Sequence, residues 1–377
     1  MRLENFFYGL RLRMVLALAR MGLWRKLGNY LRIELDLKLR RERTSAFPYN
    51  LVIDPANACT LRCPFCPTGR GKGTRTTGLL RWEDYVKVMD QLGPYLLKTE
   101  FYNWGEPTLN PRLYDMISYA KKFGMETYLS SHLNDLGAEE ARKMLDSGLD
   151  FLILSFDGAS QETYSRYREG GNFDKALGNL RTLLTERAAR GAKKPFIAWK
   201  FLVFRHNEHE IETARAMSRE LGVDLFLPAP AAIPLPDWVP VKEGARFYPE
   251  KKPAGETQTM LNHRDSLRVR AASLPACAWP WLGAVINANG SVSPCCGVED
   301  EKDDFGSALD GPLEDLFNND NFRAARAFLA SGKKPEAPNT CAACAFAGNI
   351  NPLVPSWWTT GKIYDMPLRG VLGRAWR

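Results

Sequence analysis

Histidine is scarce in this chain, with four residues in 377. A structural zinc site built from mixed cysteine and histidine ligands therefore has little to draw on. Long apolar runs are missing as well. No stretch of about eighteen uncharged apolar residues occurs, so no membrane-spanning helix is expected. The opening segment MRLENFFYGLRLRMVLALARMGLWRKLGNY mixes arginine into its apolar stretch and offers no small-residue cleavage site, which argues against a signal peptide. A cytoplasmic protein is the expectation. Thiols stay reduced there, and clustered cysteines read as metal or redox ligands rather than disulfides. Internal repeats and low-complexity tracts are absent too, and the 45% apolar and 25% charged fractions are those of a folded domain.

The net charge of +8 is unevenly spread. Residues 1–45 carry eleven Lys and Arg against four Asp and Glu, and residues 362–377 carry four against one. The basic excess belongs to the ends, and with no nucleic-acid-binding module in view, nucleic acid is not an expected partner. In the N-terminal arm, residues 1–47, Leu10, Met14, Leu18, Met21 and Leu27 recur at roughly helical spacing among Arg11, Arg13, Arg20, Arg25 and Lys26. Such a basic amphipathic helix rests either on the inner face of a membrane, as a peripheral contact through residues 1–45, or on the protein's own body.

From residue 48 to 229, short apolar runs alternate with helical stretches. Strands are expected at 50–54, 98–103, 125–130, 150–156, 196–204 and 223–229, with helices near 82–92, 111–122, 138–147, 172–190 and 208–221. Six strands alternating with helices predict an α/β fold with a parallel sheet, open or closed as a partial barrel. Reactive groups in such folds sit at the C-terminal strand ends. The segments NACTLRCPFC, NWGEP, SSHLN and SFDG follow the first four strands and so share one rim. Residues 230–275, rich in proline and charge, read as a connector or lid. Five of the eight cysteines lie beyond it, which marks a smaller second module at 276–345, followed by a basic tail at 346–377.

Cys59, Cys63 and Cys66 have the spacing C-x3-C-x2-C on one short loop. A tetrahedral structural site needs a fourth ligand, whereas an iron–sulfur cube held by three thiolates leaves one iron open. With Phe65 before the last cysteine, the loop resembles the signature of the radical S-adenosylmethionine (SAM) enzymes. That resemblance covers about residues 48–345. It implies a partial (β/α)6 TIM-type barrel, a SAM-binding 4Fe–4S cluster on Cys59, Cys63 and Cys66, and reductive cleavage of SAM to a radical that abstracts hydrogen from substrate. It also implies a low-potential electron donor such as flavodoxin or ferredoxin.

WGEP, Trp104 to Pro107, is similar to the family's GGEP motif, with Trp in place of the first Gly. Gly105, Glu106 and Pro107 are then expected to receive the SAM ammonium, Glu106 as an anion facing a cation. SFDG resembles a segment of the same relatives, making Ser155 a candidate for SAM binding, while Asp157 is either catalytic or the head of an Asx turn. Arg168 could reach an anionic group or stand as a solvated loop arginine. Lys200, on the fifth strand, could point inward. His132 is either a proton acceptor near substrate or a structural, hydrogen-bonded imidazole.

Cys277, Cys295, Cys341 and Cys344 form a second candidate ligand set for zinc or an iron–sulfur cluster, with Cys296 to spare. The pattern resembles the twitch form of the SPASM domain, which implies one auxiliary 4Fe–4S cluster with four protein thiolates. Such a closed cluster would move electrons and favour oxidation of the substrate. A small-molecule or lipid-linked substrate, a sugar or glycolipid, is the first expectation because no leader-binding domain is evident and the arm is basic. The alternatives are a peptide-modifying maturase and, from another class, a non-catalytic iron–sulfur or zinc protein.

Overall fold

The computed structural model describes residues 21, 23–71, 73–231, 235–242, 277–331 and 335–344. Leu10, Met14 and Leu18, most of the connector and the basic tail lie outside the described residues. Six strands, β1 (Asn50–Ile53), β2 (Lys98–Phe101), β3 (Glu126–Ser131), β4 (Phe151–Ser155), β5 (Phe196–Val203) and β6 (Leu225–Pro230), pair in sequence order, all parallel. Helices α2 (Trp82–Leu92), α3 (Leu113–Lys121), α4 (Ala138–Asp146), α6 (Phe173–Ala189) and α7 (Ile211–Glu220) fill the crossovers. A further helix, α5 (Gln161–Tyr167), which the sequence reading did not expect, follows β4. This is the parallel α/β arrangement that the alternating pattern predicts, and it is consistent with the partial (β/α)6 barrel that the resemblance implies.

The sheet does not end at β1. Strand β7 (Gly283–Ile286), from the cysteine-rich second half, pairs with β1 in parallel, Leu51 opposite Ala284, and β8 (Val292–Ser293) adds antiparallel to β7. The order is therefore β6-β5-β4-β3-β2-β1-β7-β8. The barrel and the second module thus share one continuous sheet. Parallel pairing buries both sheet faces, and the strands accordingly read as near-continuous apolar runs. Leu51, Ile53, Phe101, Leu129, Leu152, Leu154, Trp199 and Phe201 face the helices in one core with Tyr85, Met116 and Met144.

Helix α1 (Trp24–Lys38) belongs to the basic arm, and its Leu27, Tyr30, Ile33 and Leu37 bury one stripe against Tyr49, Leu97, Trp281 and Leu282. Its opposite side exposes Leu31 and Leu35. The described part of the arm therefore rests on the protein's own body. Arg326, on α8 (Asp320–Ser331), locks the same corner by donating to the carbonyls of Pro280 (2.9 Å) and Glu42 (3.1 Å). No helix among the described residues is long and apolar enough to cross a membrane.

Truncating the buried face of α1 should be costly and truncating the other should not. Ile33→Ala, at a fully buried position, is expected to destabilise by about 2–5 kcal/mol. Leu31→Ala, on the open side, should stay within about 0.5 kcal/mol. Anaerobic denaturant titration of both variants decides it, and equal effects would show that α1 does not dock as described.

Candidate functional site

The chain leaves β1 at Asp54 and enters the cysteine loop at once. Asn57 N–H donates to Gly78 O (2.9 Å), Arg62 N–H to Glu169 O (2.9 Å), and Cys66 N–H closes a turn on Cys63 O (3.1 Å). Cys63 is buried, and Cys59 and Cys66 are half-buried. Burial pushes the Cys59 thiol up to about 12 and raises that of Cys63, and each feels the charge of its neighbouring cysteines. A buried thiol ionises only where positive charge compensates it, which iron ligation provides. Among the described residues no three His, Cys, Asp or Glu side chains converge as ligands of a single ion. The donor set is all thiol, which suits iron–sulfur ligation.

The turn after β2 closes over this loop. A Cβ on Gly105 would fall 1.6 Å from the carbonyl oxygen of Ala56, so only glycine allows the approach. Glu106 N–H donates to Ala58 O (2.7 Å), and Pro107 is the buried first residue of a 3₁₀ turn, Pro107–Leu109. The Glu106 carboxylate is a hub. Oε1 accepts from Ser131 Oγ (2.7 Å) and Thr108 Oγ1 (2.7 Å), while Oε2 accepts from His132 N–H (3.2 Å) and faces His132 Nε2 at 3.2 Å.

His132 is buried, and its Nδ1 accepts from Asn134 N–H (3.1 Å). The neutral imidazole therefore carries its proton on Nε2, toward Glu106 and 3.8 Å from Cys59 Sγ. Asp157 does not head a local turn. Its Oδ1 accepts from Leu202 N–H (2.7 Å), and its Oδ2 holds both Nε and Nη2 of Arg168 at 2.7 Å. The other end of that guanidinium lies 3.6 Å from Cys63 Sγ. Arg168 is accordingly no solvated loop residue, and the SFDG and YSRYREGG segments meet at the cysteine loop.

Ser155, at the end of β4, lies 3.3 Å from Ser130 Oγ and opposite half-buried Lys200 in the β4–β5 register. Phe65 packs edge-on to Trp238 with ring centroids 4.9 Å apart, beside Tyr167 and Phe204. Trp238 comes from the described part of the connector, which therefore touches the cysteine loop. Sequence reasoning missed Trp238, Asn134 and Asp54.

In the second half, Cys277, Cys295, Cys296, Cys341 and Cys344 lie within reach of one another's charge. Burial pushes Cys277 up to about 12 and raises Cys295 and Cys341. Both Cys295 and Cys296 stand in the group. The two thiol sets are tied through residues 74–76. Thr74 Oγ1 donates to Asp300 (2.7 Å), Arg75 grips Asp304 by two bonds (2.7 and 2.8 Å), and Thr76 N–H donates to Glu301 (2.8 Å).

Residues 53–187 match the Radical SAM superfamily, and residues 277–345 match SPASM, an iron–sulfur cluster-binding domain. The chain is 25% identical over 183 residues to the tungsten-containing aldehyde ferredoxin oxidoreductase cofactor-modifying protein of Pyrococcus furiosus, covering 47% of this chain and 50% of that protein. It is 24% identical over 321 residues to the PqqA peptide cyclase of Rhodopseudomonas palustris, covering 80% and 81%. The chain spans about half, or less, of the length of the first curated relatives it matches. Among solved structures, SuiB of Streptococcus suis bound to S-adenosylmethionine superposes with a TM-score of 0.56 at 16% identity, over 80% of this chain and 72% of that one. At that identity the likeness is one of fold.

Asp54 offers a test of the rim's electrostatics. It is fully buried, and the amides of Gly105 and Trp104 face it without closing bonds of normal geometry. Burial raises its carboxyl to about 7, only partly offset by the Arg75 guanidinium. The folded state therefore holds this proton more tightly than the unfolded chain, and ionising Asp54 costs stability as pH rises from about 4 to about 7. Asp54→Asn removes that cost. Its melting temperature relative to the parent is expected to climb between about pH 4 and pH 7 and to level off above, and a difference independent of pH would contradict the buried, poorly compensated carboxylate.

Proposed function

We infer, from the premise that the chain belongs to the radical SAM superfamily and carries a SPASM domain, that it is a radical SAM enzyme acting on a peptide. The observation that carries the reading is the convergence of Cys59, Cys63 and Cys66 with Glu106, His132 and Arg168 on the C-terminal rim of a parallel barrel. SAM bound at the three-thiolate cluster supplies a strong hydrogen-atom abstractor once a low-potential donor such as flavodoxin or ferredoxin delivers an electron.

This chain's own residues position and confine. Glu106 lies where an ammonium could replace the His132 imidazole on Oε2, a cation exchanging for a neutral donor. Gly105 admits close backbone approach. Ser130 and Ser155 stand near the ends of β3 and β4, with Lys200 of β5 opposite Ser155 in register, and are candidates for substrate contact. Four thiols of the second set, Cys277, Cys341, Cys344 and either Cys295 or Cys296, would hold an auxiliary cluster, and with four protein ligands that cluster would serve electron transfer rather than substrate binding. That favours an oxidative outcome.

A sugar or lipid-linked substrate drew its support from the basic arm, and the described part of that arm is occupied in packing on the barrel. Support for a peptide comes from relatives aligned over four fifths of this chain, a mycofactocin maturase and a peptide cyclase. The C–H bond attacked would then lie on a side chain or a backbone carbon, and loss of two hydrogens would leave a crosslink or a double bond.

The protein reconstituted anaerobically with iron and sulfide is expected to release 5'-deoxyadenosine from SAM under reductant, and Cys66→Ala to abolish that release. With cell extracts added, mass spectrometry should find a peptide lighter by two hydrogens. A sugar or lipid showing that loss instead would overturn the peptide reading while leaving the radical chemistry intact.

A further inference from the structure

Trp104 takes the place of the first glycine in the GGEP-like motif, and its two ends touch different halves of the molecule. Its carbonyl oxygen lies 3.8 Å from Cys66 Sγ, the last thiol of the first set. Its indole Nε1–H donates to the carbonyl of Val298 at 3.0 Å. Val298 N–H in turn donates to Cys295 O at 3.4 Å, closing the turn that carries Cys295 and Cys296. One residue therefore spans from a thiol of one set to the loop of the other. Val298 is buried, and its carbonyl also accepts from Arg75 Nη2 (3.1 Å), so the far end of the span is fixed from two sides.

The surroundings of the two sets differ in charge. Arg168 places a guanidinium against Cys63, which stabilises the reduced, more negative state of a cluster there and raises its potential. At Cys277, Cys295 and Cys341 burial and the other thiols of the set oppose ionisation, while the backbone amides of Trp279 and Gly297 favour it at Cys277 and Cys295. Four thiolates carry one more negative charge than three, which makes a cluster on the second set the better electron donor of the two.

We propose that Trp104 is the bridging residue for electron transfer between the auxiliary 4Fe–4S cluster and the SAM-binding 4Fe–4S cluster. One electron leaves the reduced auxiliary cluster, which is oxidised by one unit. It crosses by way of Val298 and Trp104 and reduces the oxidised cluster on Cys59, Cys63 and Cys66 by one unit, and no proton or bond changes place. The inference rests on the two cluster sites and not on the substrate, so its test contains none.

The full-length protein, with both clusters reduced and free reductant removed, is mixed with SAM and frozen at intervals. SAM cleavage oxidises the SAM-binding cluster, and the EPR signal of the auxiliary cluster should then decay as its electron crosses. Trp104→Phe keeps an aromatic ring but loses the N–H bond to Val298, and is expected to slow that decay severalfold with both reduction potentials and the iron content unchanged. Trp104→His, which retains a ring N–H, should fall between the two. An auxiliary signal that persists in the parent protein, or decays equally fast in Trp104→Phe, overturns the assignment. Loss of the auxiliary cluster from Trp104→Phe would do so too, by showing that the indole only holds the loop.

Discussion

The relative placement of the two thiol sets depends on the guanidinium of Arg75. It holds Asp304 by two bonds and donates as well to Ser293 Oγ and Val298 O, both at 3.1 Å. Only about one twentieth of either side chain remains exposed. Taking such charges out of water is expensive, and the attraction between them is helped by every further donor and acceptor that is met; of the guanidinium donors, Nε is buried without a partner. Here Asp304 also accepts from Ser291 Oγ (2.6 Å) and Ser293 Oγ (2.5 Å), so the pair is embedded in a network that connects β8 to the cysteine-loop segment. An apolar pair of equal volume could hold the halves together. It could not fix their register, because dispersion has no direction.

The first thiol set owes its shape to charge as well. A carboxylate offers about four acceptor positions, and those of Glu106 are met by Ser131, Thr108, His132 N–H and the His132 imidazole. The ends of β2 and β3 are thereby fixed to one another directly beneath the cysteine loop. On the other side Asp157 orients Arg168 toward Cys63. Burial, above all, pushes Cys59 and Cys63 away from ionisation, and the guanidinium opposes it at Cys63. The rim is thus a polar frame in which the His132 imidazole bridges Glu106 and the Asn134 N–H.

Much of this was legible in the sequence, for reasons of period and punctuation. The six strands fall within two residues of their expected starts, because buried parallel strands are short apolar runs bounded by turn residues. The four motifs share a rim because parallel topology sends every strand end the same way. What was not legible depends on long-range pairing. Nothing in GAVI distinguishes a strand of a separate module from one that joins β1. Nothing in the segment GRGKGTRTT marks its Arg75 as buried, because its partner Asp304 lies more than two hundred residues away in sequence. The sequence does hint at Asp54, an acidic residue closing an apolar strand, but its burial follows only from the turn of Gly105 above it.

Trp104 and Gly105 show how a motif can be strict at one position and free at the next. Position 105 is set by sterics, since any side chain there would enter the backbone at Ala56. At position 104 the side chain leaves the cysteine loop and points to Val298 in the second half of the chain. Glycine would satisfy the rim equally well at that position, because nothing on the rim uses the indole. The departure from the motif therefore leaves the packing of the rim intact and adds a contact to the loop that carries Cys295 and Cys296.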